Sequence, residues 1–171
     1  MTTTALQDMA ACSPPAGADA LGIAHPRPFW ATLTVQRDQV SRAVDHASNV
    51  QYVAWLDRAA EMHADSLGFT RAAMLEMNRM WFVARHEIDY LAETWPGNRL
   101  AIATWVRALD RAKSWRDSLI LRPEDERVIC RASTLWVWVN LDNRRPTRVT
   151  PEMAAAFEPL ERVQAESTTT G

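Results

Sequence analysis

Asp57, Glu61 and Asp65 recur at every fourth position of one amphipathic stretch, so on a helix they share a flank. At about 100° per residue, Asp57 lies roughly 60° and Glu61 roughly 100° from the centre of that helix's apolar stripe. Both border the buried face, where a carboxylate is available for proton transfer; a continuous solvated acidic flank is the other reading. Upstream lie Asp45, His46, Ser48, Asn49 and Val50. Ser48 with Gln51 three residues on has the pattern of a capping box, which opens a helix there. A helix start offers free N–H groups and a favourable dipole to a developing oxyanion, or to a turn carboxylate such as Asp45. No Ser–His–Asp arrangement is readable around Ser48, which makes it a cap and not a nucleophile. Asn49 is either a helix cap or a ligand contact. Arg144, Arg145 and Arg148 form a basic turn, either solvated or able to attract phosphates. The four histidines show no pair at i, i+4 with a carboxylate, so no catalytic metal is expected. His63 beside the helix stripe and His86 on the apolar face of a strand read as packing residues, and His25 carries no signal.

These residues need elements to hold them. Val53, Leu56, Ala60, Ala64 and Leu67 follow the 3, 4, 4, 3 spacing of one buried stripe, and Gly68 is a natural stop, so a helix is predicted over 49–67. Trp30 to Arg37 alternates as a short strand. A second short helix is expected between Phe69 and Arg79. Met80, Phe82, Ala84, His86, Ile88 and Tyr90 alternate with polar residues, predicting a long strand with those six on one face. Pro96-Gly97-Asn98 is a turn, and strands follow at 100–109, 114–122 and 128–141, the last carrying Trp136 and Trp138 on one face. Those two indoles read as core or subunit packing, with tunnel lining as the alternative. Thr150 and Pro151 cap and open a last short helix. Strand, long helix, then four strands make an α+β domain, one antiparallel sheet wrapped about one apolar helix.

With 171 residues, Lys+Arg 19 against Asp+Glu 21 and a net charge of −2, one domain with a sizeable core is expected and no basic nucleic-acid surface. No apolar run approaches the roughly 18 residues of a membrane span. Cys12 and Cys130 make neither a disulfide framework nor a zinc spacing, which suits a reducing cytoplasm. Eight tryptophans call for broad apolar surfaces. Residues 1–28 lack a period and read as a disordered leader, 29–162 as the domain, and 163–171 as a disordered tail.

The block from Asp45 to Glu61, Asp-His-Ala-Ser-Asn-Val-Gln-Tyr-Val-Ala-Trp-Leu-Asp-Arg-Ala-Ala-Glu, resembles the loop and central-helix start of hotdog-fold thioesterases, in the 4-hydroxybenzoyl-CoA and acyl-ACP thioesterase branch. There the usual pattern is Gly-His-Val-Asn-Asn, an apolar residue, any residue, Tyr and a Trp-containing helix. Arg85-His-Glu-Ile-Asp-Tyr90, Pro96-Gly-Asn-Arg-Leu100, Leu135-Trp-Val-Trp-Val-Asn-Leu-Asp142 and Arg145-Pro-Thr-Arg-Val-Thr-Pro151 continue the likeness in register, over about 30–160. It implies a hotdog fold, an antiparallel five- to six-stranded sheet around one long central helix.

The resemblance also implies hydrolysis of an acyl-CoA or acyl-ACP thioester, by carboxylate-assisted attack of water. The carbonyl would be held at the amide of Asn49, with Ser48, Val50 and Tyr52 as substrate contacts and Arg145 and Arg148 toward the phosphates. Many relatives place an Asp four residues before the His, which here is Arg42, and some an Asn two before it, which here is Val44. The base is therefore Asp45, standing where Gly is usual, or Glu61 on the helix, aided by His46. No metal or bound cofactor is implied, since coenzyme A or phosphopantetheine arrives with the substrate. A homodimer or a dimer of dimers is implied, with the active site at the interface. The rival reading, prompted by Arg42, is a non-hydrolytic acyl-CoA or acyl-carrier binding protein, or a dehydratase-like enzyme.

Overall fold

The apolar period ahead of Gly68 folds as α1 (Asn49–Ser66). Its end is built by backbone bonds: Gly68 takes φ +86°, its N–H donates to the Asp65 carbonyl at 3.0 Å, and the Phe69 N–H donates to the Ala64 carbonyl at 2.9 Å. Glycine enters that left-handed position without a Cβ penalty, so the helix stops where the sequence places it. The other elements of this computed structural model are β1 (Ala10–Ala11), β2 (Phe29–Thr34), α2 (Arg71–Glu76), β3 (Arg79–Tyr90), β4 (Arg99–Asp110), β5 (Lys113–Arg122), β6 (Arg127–Asn140), α3 (Pro151–Ala156) and β7 (Glu161–Arg162). The structure describes residues 8–41 and 43–162. Arg42, residues 1–7 and the expected tail lie outside them.

The strands form one sheet in the order β1-β2-β4-β5-β6-β3, with the two-residue β7 parallel to β4 and every other pairing antiparallel. This is the predicted hotdog arrangement, a sheet curled about α1. The two-residue strands at the ends were not foreseen, because so short a run has no readable period. Thr150 caps α3 by accepting from the Met153 N–H, as its position beside Pro151 implies.

The buried side of α1 is broader than the predicted stripe. Tyr52, Trp55, Leu56, Ala59, Ala60 and Ala64 are buried, while Val53 and Leu67 are only half-buried. The curled sheet encloses more of the helix than one narrow seam, so Trp55 and Ala59, both at 0% exposure, face it most directly. Leu33, Leu100, Ile102, Ile120 and Ile129 complete that core. β4 is buried nearly throughout, because α1 covers one face and the chain start covers the other.

That second cover corrects the expectation of a disordered leader over 1–28. From residue 8 on, the segment is ordered. β1 pairs with β2, Met9 is buried, and Cys12, Ala18, Leu21 and Ile23 pack against Trp30, Ala101, Ala103 and Trp105 on the sheet's outer face. Few charged residues and several small apolar ones let this strap lie flat over indoles that would otherwise meet water.

The face assignment along β3 also needs correction. The register shifts between Val83 and Arg85, so Val83 pairs with Trp136 while Arg85 pairs with Leu135. One extra residue, Ala84, reverses the alternation. His86, Ile88 and Tyr90 therefore share the helix-facing side with Trp81 and Val83, and Phe82 points the other way. His86 is half-buried with Nδ1 at 2.9 Å from the Thr134 hydroxyl. It is a satisfied histidine at a partly open edge.

Candidate active site at the start of the central helix

The segment before α1 is a tight loop. Val40 and Ala47 form an isolated antiparallel bridge, Ser41 N–H donates to the His46 carbonyl at 2.9 Å, and Asp45 N–H donates to the Ser41 carbonyl at 2.8 Å. Closing so short a loop requires φ +55° at Asp45. The left-handed backbone favours glycine, and aspartate is among the few other residues that tolerate it. The Asp45 carboxylate points away to Arg37, 2.6 Å distant, with 67% of its side chain exposed. The structure thus places Asp45 at the turn with its carboxylate engaged by Arg37.

The same loop carries the chain to Ser48, whose side chain makes no capping bond. The expected capping box is not formed, and the N–H groups of Asn49 and Val50 find no acceptor among the described residues. Both residues are exposed. Two adjacent donors at a helix N-terminus, uncapped and open, suit a developing oxyanion.

Ala47 N–H donates to the Thr94 carbonyl at 2.9 Å, which docks the loop against residues 91–98. That contact brings Glu93 to His46, with Glu93 Oε1 3.2 Å from Nδ1. The 91–98 segment is itself braced. Arg122 donates to the Glu93 carbonyl at 2.9 Å and holds Asp125 with two bonds of 2.8 and 2.7 Å, while Asn98 accepts from Thr94 and Trp95. His46, Asn49, Tyr52, Tyr90 and Glu93 line an open cleft of about 420 Å³. Tyr52 packs edge-on to Tyr90 at 5.2 Å, and burial pushes its hydroxyl up to about 12, so it stays protonated.

Not every predicted site residue comes to this cleft. Glu61 is bound to Arg58 at 2.7 Å and Arg71 at 3.5 Å, and twelve residues of helix, roughly 18 Å, separate it from Asn49. Arg145 and Arg148 are exposed at the far end of the sheet, since β6 runs from Cys130, opposite Tyr90, to Asn140, opposite Arg79. Eleven residues of β3 put that end roughly 35 Å from the cleft within one chain. Asp57 lines a second cavity with Glu61; desolvation and the Glu61 charge raise its carboxyl above the usual range. Glu93 escaped the sequence reading. It lies in an aperiodic connection, and only the Ala47–Thr94 contact makes it a neighbour of His46. Among the described residues no group of three or more His, Cys, Asp and Glu side chains is gathered as a metal would require, and no helix is long and apolar enough to cross a membrane.

Residues 34–157 match the family model described as the acyl-ACP thioesterase N-terminal domain. The chain is 28% identical over 105 residues to a chloroplastic palmitoyl-acyl carrier protein thioesterase from Gossypium hirsutum, covering 60% of this chain and 25% of that protein. It is 29% identical over 118 residues to an oleoyl-acyl carrier protein thioesterase from Coriandrum sativum, covering 64% and 32%. It thus spans about a quarter to a third of the length of these curated relatives. Among solved structures, a 1,4-dihydroxy-2-naphthoyl-CoA thioesterase from Synechocystis superposes with a TM-score of 0.71 at 17% identity, over 77% of this chain and 96% of that one. The 12:0-ACP thioesterase from Umbellularia californica gives 0.66 at 21% identity, over 75% and 49%. Those two likenesses carry the hotdog fold, and the family match extends it to sequence: the chain belongs to the acyl-ACP thioesterase N-terminal domain family.

Proposed function

We propose that this protein hydrolyses acyl thioesters of coenzyme A or of acyl carrier protein. The observation that carries the reading is the juxtaposition, in one open cleft lined by Asn49, of the His46–Glu93 pair and a helix start whose first two amides find no acceptor among the described residues. The thioester carbonyl oxygen sits on the amides of Asn49 and Val50. Glu93 accepts the Nδ1 proton of His46 and orients the ring, leaving Nε2 free to take a proton from water. The water oxygen bonds to the carbonyl carbon, the C–S bond breaks, and the proton held at Nε2 passes to the departing sulfur. The acid and the thiol leave. This assigns the base to His46, where the sequence pointed to Asp45 or Glu61. The step draws on no metal or resident cofactor; the pantetheine arm belongs to the substrate.

Thiol release from a panel of acyl-CoAs, acetyl to palmitoyl plus benzoyl and 4-hydroxybenzoyl, and then from acyl-ACPs, tests this reading. Turnover well above background on either panel supports it. Silence on both, with acyl-CoA still bound, would replace it with a non-hydrolytic acyl-binding protein.

The edge strand β3 supports a homodimer. It ends the sheet and leaves Phe82 and Val83 exposed at 43% and 39%, an open edge of the kind that pairs with another strand. Antiparallel pairing of two copies of β3 about a two-fold axis sets the Arg79 end of one strand beside the Tyr90 end of the other. The partner's 144–148 turn then approaches this chain's cleft. Arg145 and Arg148 would therefore serve the phosphates across the interface and not within one chain. Light scattering should give twice 19.3 kDa, and Phe82→Asp should reduce it to the monomer mass. An unchanged dimer in that variant removes the β3 edge from the interface. The free thiols of Cys12 and Cys130 fit a reducing cytoplasm.

A further inference from the structure

A second cavity, of about 80 Å³, opens beside the second half of α1, with Trp81, Trp136, Met74 and Phe157 in its walls. Arg116 lines it from the helix-facing side of β5, only 6% exposed. Nη1 of that guanidinium donates to His63 Nδ1 at 2.9 Å and to the Thr104 hydroxyl at 3.2 Å. The group lies 5.6 Å from the centre of the Phe157 ring. Among the described residues no carboxylate pairs with it, and its remaining N–H groups find no acceptor. Glu61 is already held by Arg58 and Arg71. Burial pushes His63 down to about 3, so it accepts as a neutral ring and brings no charge. Burial also draws Arg116 down to about 10, and it remains a cation at neutral pH.

A buried cation without a counter-ion is costly. Donors left unused at a cavity wall indicate where the missing anion belongs. We propose that this cavity receives a carboxylate borne on an aromatic ring or a short apolar body, with Arg116 as its counter-ion and the two tryptophans flanking the body. Resting on the thioesterase reading for its source, the proposal makes the occupant a small free acid of the kind that reaction releases, since the cavity lies roughly 18 Å along α1 from the amides of Asn49 and Val50, beyond the reach of a short acyl chain held there. Glu61 lines the cavity with its charge held by Arg58 and Arg71, and Asp57, without an ion-pair partner among the described residues, opposes a second negative charge most directly. Its raised carboxyl takes up a proton more readily than an ordinary aspartate, which eases that opposition.

Benzoate and its neutral analogue benzamide, titrated into the full chain by saturation-transfer NMR, test the site without any turnover. Benzoate should bind saturably and at least tenfold more tightly than benzamide. Arg116→Met should erase that difference, and Arg116→Gln, which keeps a donor for His63, should erase it in a protein with its packing preserved. Equal binding of the two probes to the wild type overturns the proposal even if neither variant folds, and so does a preference that survives both substitutions. A second arm follows thioester hydrolysis by the same proteins: benzoate binding with no hydrolysis of any thioester retires the thioesterase reading while leaving the site.

Discussion

Replacing His46 by Gln should lower kcat for thioester hydrolysis by a factor of about 100 or more, the usual loss when a positioned base is removed. The substitution leaves the loop intact, because His46 enters it through its backbone carbonyl, which accepts from Ser41. Among the described residues its side chain pairs with Glu93 alone, and it is one-third exposed. Melting temperature should therefore move by little. Glu93→Gln should cost less, roughly tenfold, since it removes the partner that orients the ring and leaves the ring itself. Asp45→Asn supplies the contrast, since asparagine tolerates the left-handed backbone and removes the charge. That carboxylate is engaged with Arg37 on the surface, so turnover should stay within about twofold, in keeping with the small worth of an exposed ion pair. Steady-state kinetics on the three variants, with circular dichroism as the check on folding, decide the matter. A hundredfold loss at Asp45 with His46→Gln active would reverse the assignment.

The largest effect on stability is expected at Trp55. Its indole is fully buried, with the Tyr52 ring 5.2 Å away and Leu100, Ile102 and Ile120 in the same cluster. Trp55→Ala removes the bulk of the contact between helix and sheet and leaves a cavity, which costs about 3–5 kcal/mol. Against a total of about 5–15 kcal/mol for an ordinary domain, that is enough to leave a sizeable unfolded fraction at 37 °C. Trp55→Phe should cost far less. It keeps most of the apolar volume and deletes an indole N–H that has no acceptor among the described residues, removing an unsatisfied donor together with the lost atoms. Urea unfolding of the two variants measures both values, and a loss below about 1 kcal/mol for Trp55→Ala would show that the core does not depend on this residue.

The contrast between these two sites tracks what a linear sequence can carry. Leu56, Ala60 and Ala64 are legible as core because helical periodicity is local, whereas Trp55 lies outside the predicted stripe and shows its burial only once the sheet curls round the helix; Gly68, Thr150 and Pro151 mark helix ends by chemistry that acts within four residues. Strands β4, β5 and β6 appear near their predicted positions for the same reason. His46 and Asn49 were found through the likeness of their block to known sequences, and the structure adds why a glycine-like residue must precede them. Glu93 and Arg116 were not found. Each acquires its meaning from a contact across 47 or 53 positions, Glu93 with His46 and Arg116 with His63, and neither stands in a periodic run that singles it out. The reversed faces of β3 were missed because a bulge is one extra residue, invisible until the partner strand is known. The place of Arg145 and Arg148 was equally out of reach: only the sheet topology shows that within one chain their turn lies at the end of the sheet away from the cleft.

The strap over the outer face also bears on how large an assembly this chain can build. Sheets stack back to back when both offer apolar faces. Here the apolar portion, around Trp30 and Trp105, is already occupied by Cys12, Ala18, Leu21 and Ile23. The neighbouring portion presents Glu87, Asp89 and Arg131, with Arg107 and Asp117 paired at 3.0 Å. A second sheet would have to peel the strap away or strip water from those charges, and neither is favourable. Through residues 8–28 the chain supplies its own lid over the face where another sheet would otherwise stack.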